Sequence, residues 1–110
     1  MFDGLWTVEF RSTQNMYGRG VVVISNDHIL GGDDGYYYYG TCNITNNKIN
    51  ADLQITKYDP NSVSVFGPID HYNLKINGDI DECKFRAEGT ASLENSSESI
   101  NIVGTKKENM

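Results

Sequence analysis

Two histidines, two cysteines and two short acidic runs are the groups in this 110-residue sequence that could support a metal site, a nucleophile or an acid–base pair. His28 and His71 stand far apart, and neither lies at ligand spacing from another His or Cys, so both read as surface or satisfied structural histidines. Cys42 and Cys83 are too few for a metal site or a disulfide framework. Each fits a period-2 apolar register, Cys42 with Ile44 and Cys83 with Phe85, which predicts reduced core residues. Asp33-Asp34 and Asp79-Ile80-Asp81-Glu82 gather carboxylates, but neither follows the calcium-loop pattern of alternate oxygens closed by a distal glutamate; they read as solvated turns. Gly31-Gly32-Asp33-Asp34-Gly35 lacks the lysine and following helix of a phosphate loop. No nucleophile elbow or Cys–His pairing assembles, so the expectation is a non-enzyme with no catalytic residue, metal or cofactor.

The elements that would have to position any site are strands. Val, Ile and Thr number 24 and aromatics 12, against 8 Leu and Ala, a balance that suits pleated surfaces. Eleven glycines, twelve asparagines and nine aspartates supply turn chemistry for many short strands. Trp6, Val8 and Phe10 share one face of a first strand, and a loop follows from Ser12 to Tyr17. Gly18 to Ser25 is a second strand in which Val21-Val22-Val23-Ile24 is apolar on both faces; Asn26-Asp27 turns it into a third at His28 to Leu30. After the glycine-rich interruption, Tyr36 to Ile44 forms a strand, and Asn46-Asn47 turns it into Lys48 to Tyr58, whose Ile49, Ala51, Leu53 and Ile55 face one way. A short strand at Val63 to Phe66, ended by Gly67-Pro68, precedes Tyr72, Leu74 and Ile76, a turn at Asn77-Gly78, and a strand lined by Cys83, Phe85, Ala87, Gly89 and Ala91. Asn95-Ser96 makes the final hairpin, and Ile100 and Ile102 lie on the last strand.

Eight or nine short strands joined by tight turns predict an all-β, antiparallel up-and-down sheet. Closure into an eight-stranded barrel removes both edges; a two-layer sandwich is the alternative. Residues 1–105 are assigned to one barrel domain and 106–110 to a polar C-terminal tail.

Charge excludes further classes. Nine basic against fifteen acidic residues leave a net charge of -6, and the longest basic run is Lys106-Lys107, so direct nucleic-acid binding is not expected. No apolar stretch approaches a membrane span, and Met1 to Trp6 lacks the basic and apolar regions of a secretory signal. Among Tyr36 to Tyr39, alternation sends two rings inward and two outward. Outward tyrosines, together with the doubly apolar valine run, want a cover, which makes Val22, Tyr37 and Tyr39 candidates for a dimer or recognition surface.

The combination of Gly4, Trp6, Val8 and Phe10 on the first strand, Gly20-Val21-Val22-Val23 on the second, then Leu30-Gly31-Gly32-Asp33 and Tyr39-Gly40, resembles the GrlR family, negative regulators of type III secretion in bacteria. Lys57-Tyr58, Val65-Phe66-Gly67 and Leu74 to Gly78 extend the resemblance over most of the chain. It implies a lipocalin-like (calycin) barrel, homodimeric and cytoplasmic, which represses transcription by binding a helix-turn-helix activator rather than DNA. That family carries an acidic Glu-Asp-Glu-Asp run on the hairpin after the Gly-Gly-Asp segment; the matching hairpin here, Asn43 to Lys48, contains no acid.

Two functions follow as expectations. The first is a regulator that sequesters a cationic protein partner, with Asp79, Asp81 and Glu82 on one turn and Asn46 and Asn47 at the family-matched hairpin tip as contacts. The second is a carrier holding one small apolar ligand in the lumen. Interior volume discriminates between them.

Overall fold

The computed structural model describes residues 2–13, 15–64, 66, 69–93 and 96–110. Strand-forming residues with period-2 patterning become, in chain order, β1 (Gly4–Ser12), β2 (Tyr17–Ser25), β3 (His28–Gly32), β4 (Tyr36–Thr45), β5 (Lys48–Lys57), β6 (His71–Ile80), β7 (Lys84–Ser92) and β8 (Ser97–Asn109). Each strand pairs antiparallel with its sequence neighbours, and β8 returns to β1, closing an up-and-down barrel of the lipocalin-like kind without a free edge.

Two hairpins turn where the sequence places them. Asn26 and Asp27 have φ of 50° and 67°, and Asn46 and Asn47 of 53° and 61°. Positive φ at both central residues is the turn whose twist matches the flanking strands, and Asn and Asp tolerate it best among residues with a Cβ.

Four expectations change. The polar residues 106–109 are strand, not tail: Lys106 is the register partner of Trp6, Glu108 of Leu5 and Asn109 of Gly4. Their structure comes from the β1 edge they complete, a non-local cause that local patterning does not record. Asn77-Gly78 is not a turn but continues β6, where Gly78 opposes Ile49 on one side and Ala87 on the other. A Cβ on Gly78 would lie 2.2 Å from the Arg86 carbonyl oxygen, so this glycine serves close strand approach. The turn sits at Asp81, whose carboxylate accepts from the amides of Cys83 at 2.8 Å and Lys84 at 2.9 Å. That turn places Cys83 in solvent instead of the core; Cys42 is buried. Val22 opposes Trp6 across β1 and β2 and therefore shares its inward face, so it is core and not surface.

In the segment between β5 and β6, Ser64 makes a single ladder bridge; Val65, Gly67 and Pro68 of the expected short strand lie outside the described residues, as does Asn95 of the last hairpin. That hairpin is closed by Leu93 N–H donating to the Ser96 carbonyl at 2.9 Å.

The barrel has two unlike ends. At the end that holds the β2–β3, β4–β5 and β6–β7 turns, Trp6, Ile24 and Ile49 are essentially inaccessible, and the Trp6 and Phe85 rings lie 5.5 Å apart at 48°. Gly104 seats the Phe85 ring, since a Cβ there would fall 2.0 Å from the ring edge. Trp6 Nε1–H donates to the Phe2 carbonyl at 3.0 Å. This end is plugged.

Candidate functional site: lumen and outer surfaces

Above the plug the lumen is hollow. A cavity of about 190 Å³ is walled by Val8, Val22, Ile29, Leu53, Ile55, Leu74, Ile76, Ile100 and Ile102 and reaches the rim at Tyr17, Arg19, Asp34 and Val63. Alternation makes this wall: each strand turns every second residue inward, and those positions are mainly Val, Ile, Leu and aromatic residues interspersed with Gly and Ala.

Polar groups cluster at its mouth, organised by Asp33 in the β3–β4 turn. One carboxylate oxygen accepts from the amides of Gly35 and Tyr36, each at 2.9 Å, and the other from the Tyr38 hydroxyl. The Asp33 carbonyl accepts from the Tyr58 hydroxyl. The Tyr36 hydroxyl donates to the Ile69 carbonyl at 2.5 Å. Buried Ser64 donates to the Tyr72 hydroxyl at 3.4 Å and accepts from the Phe66 amide at 2.9 Å, while the Phe66 ring meets Tyr72 edge-on at 5.4 Å. Burial pushes the Tyr72 phenol up to about 12 and raises Tyr38 further, the latter reinforced by the Asp33 carboxylate. Both phenols are therefore neutral hydrogen-bonding groups at physiological pH. The cluster differs from the sequence expectation of a solvated turn at Asp33-Asp34, although an Asp two and three residues before Gly35 and Tyr36 is the spacing for a side chain that caps its own turn.

The outer wall has a second feature. Cross-strand register aligns Thr7, Val21, Gly32, Tyr37 and Thr56 in one outward row, and Leu5, Val23, Leu30, Tyr39 and Gln54 in the next. These ten positions on β1 to β5 carry no charge, and Val21, Leu30, Tyr37 and Tyr39 are between 44% and 52% exposed. Of the dimer or recognition candidates, Tyr37 and Tyr39 belong to this field; Val21 and Val23, not Val22, are its valines.

At the plugged end the structure brings Asn46, Asn47, Asp79 and Asp81 into one shallow groove, with Lys48, Lys84 and Arg86 among them. The Ile80 amide donates to the Asn47 carbonyl at 2.9 Å, tying the two turns together. Glu82 is exposed on the turn next to this groove. The acids there are not a bare negative patch: Lys48 pairs with Asp79, and the two backbone amides of Cys83 and Lys84 hold the Asp81 carboxyl below its usual range.

His28 and His71 are both exposed; His28 Nδ1 lies 2.9 Å from the Asn26 carbonyl and His71 Nδ1 2.9 Å from Thr56 Oγ1. Among the described residues no three His, Cys, Asp or Glu side chains are grouped to hold a metal ion, and no helix is long and apolar enough to cross a membrane. No protein-family model matches the chain, and no curated protein matches it.

Proposed function

We propose that this barrel is a non-enzymatic regulatory protein that works by binding another protein, with the uncharged field of β1 to β5 as its recognition surface. The observation that carries this reading is the field itself: ten adjacent outward positions without a charge, four of them large exposed apolar or tyrosine side chains, on a chain in which 24 residues are charged. Exposed tyrosines with uncharged neighbours are what protein interfaces use at their centres, because the rings desolvate cheaply and keep a hydroxyl for hydrogen bonding. The resemblance to the GrlR family adds the identity of the partner, a cytoplasmic helix-turn-helix activator of type III secretion genes, and the net charge of -6 favours encounter with the cationic surface such a partner presents. The plugged-end turns with Asn46, Asn47, Asp79, Asp81 and Glu82 then form a flanking polar contact.

Capture from native cells with the tagged chain tests the reading. The expected result is a DNA-binding protein that co-purifies with the wild type and is lost with the double variant Tyr37→Ser/Tyr39→Ser; recovery of no such partner overturns it. If light scattering instead gives a dimer mass that the double variant abolishes, the field belongs to a second copy and partner binding falls to the plugged-end turns.

The hollow lumen favours a second reading, a carrier or sensor of one small apolar ligand. A domain whose interior is packed throughout has no cavity of about 190 Å³, because cores reach the density of organic crystals and larger voids cost stability.

A further inference from the structure

We propose that the hollow half of the lumen binds a neutral molecule of a single ring or a compact fused pair, carrying one oxygen that accepts a hydrogen bond from the Tyr72 hydroxyl. The inference rests on the carrier reading and names the ligand class.

Size comes from volume. An apolar cavity of roughly 150 Å³ holds a benzene ring. The cavity here is about 190 Å³, and the Trp6–Phe85 pair blocks its extension toward the other end. A ring with a small substituent fits; a long acyl chain does not.

Charge comes from the wall. The charged side chains that line the cavity, Arg19, Asp33 and Asp34, all sit at its rim, and Asp33 has both carboxylate oxygens engaged by Gly35, Tyr36 and Tyr38. An ion inside would lose its hydration with no counter-charge in the apolar part, so a charged ligand is disfavoured there. Anions would also pass the two aspartates at the mouth.

Polarity comes from the accounting of hydroxyl protons. Tyr36 gives its proton to the Ile69 carbonyl and Tyr38 to Asp33. Tyr72, 9% exposed and part of the cavity wall, has as its hydroxyl contact Ser64 Oγ at 3.4 Å, longer than an ordinary O–H···O bond, which leaves its proton available to a better-placed oxygen in the lumen. A buried donor of that kind is satisfied by a carbonyl, ether or hydroxyl oxygen on the ligand.

Titration of the full chain with acetophenone, benzoate and dodecanoate, followed by methyl and amide NMR, tests the proposal. Acetophenone is expected to shift Val22, Ile55 and Leu74 resonances saturably, to bind at least about tenfold more tightly than benzoate, and to lose about tenfold in affinity in Tyr72→Phe. Val8→Phe, which fills the cavity from β1, is expected to abolish the shifts while circular dichroism stays that of the wild type. Tighter lumen binding of dodecanoate or benzoate, or unchanged affinity in a folded Tyr72→Phe, overturns the ligand class while leaving the carrier reading intact. Absence of lumen shifts with all three probes overturns the carrier reading and this inference with it.

Discussion

The ammonium nitrogen of Lys106 lies 6.0 Å from the centroid of the Trp6 ring, its register partner across the seam that closes the barrel. That distance places the lysine charge within cation–π range of the indole that plugs one end. Lys106→Ala is expected to cost about 1 kcal/mol, read as a melting temperature lower by about 4–8 °C. Deleting 106–110 removes the partners of Gly4, Leu5 and Trp6 and is expected to cost at least about 2 kcal/mol. A truncated chain that melts with the wild type would contradict the seam.

Asp33 organises the mouth by accepting from two amides and a buried phenol. Asp33→Ala leaves three donors without their acceptor, a loss of about 3 kcal/mol in chemical denaturation. Asp33→Asn keeps an oxygen for the Gly35 and Tyr36 amides and is expected to lose about half as much. Equal losses in the two variants would assign the effect to the Tyr38 contact alone.

The buried phenols make the fold sensitive to alkali. The Tyr72 phenol titrates at about 12 in the folded chain and near 10 when unfolded, so above pH 10 the unfolded state gives up a proton that the native state keeps. The stabilisation is complete below pH 10 and is withdrawn as pH rises through about 12, by about 2–3 kcal/mol for Tyr72. The urea midpoint should therefore fall between pH 10 and 12, less steeply in Tyr72→Phe; a flat midpoint over that range would contradict the burial.

The two thiols should separate kinetically. Burial pushes the Cys42 thiol up to about 11, aided by Asp27 and Asp3, whereas Cys83 is exposed on its turn. At pH 8 an aromatic disulfide reagent is expected to titrate one equivalent quickly and the second only in denaturant. Cys83→Ser should abolish the fast equivalent; two fast equivalents in the native protein would place Cys42 at the surface.

Replacing Tyr37 and Tyr39 by serine is expected to change fold stability by less than about 1 kcal/mol, since both rings are half exposed on the outer wall. A melting temperature lower by more than about 10 °C would make them structural instead of recognising residues.

Much of the fold is written in local patterning. Ile49, Ala51, Leu53 and Ile55 alternate with polar residues and become one inward face of β5; paired Asn and Asp at 26–27 and 46–47 become hairpin turns because they accept positive φ. Such signals reside within a few residues of one another, so the sequence by itself determines strands, their faces and most of their turns. Other features depend on which strand lies opposite. Val22 is core because Trp6 faces it, Gly78 continues a strand because Ala87 and Ile49 flank it, and 106–109 are ordered by the edge of β1. The half-plugged, half-hollow lumen is decided the same way: Phe85 folds over Gly104 and onto Trp6, filling one end, while the aliphatic side chains of the other half, with Tyr36, Tyr38 and Tyr72 toward the mouth, surround a cavity of about 190 Å³. Local periodicity sets which side chains turn inward, but how much space they leave depends on contacts between residues distant in the chain, and only closure of the barrel brings those together.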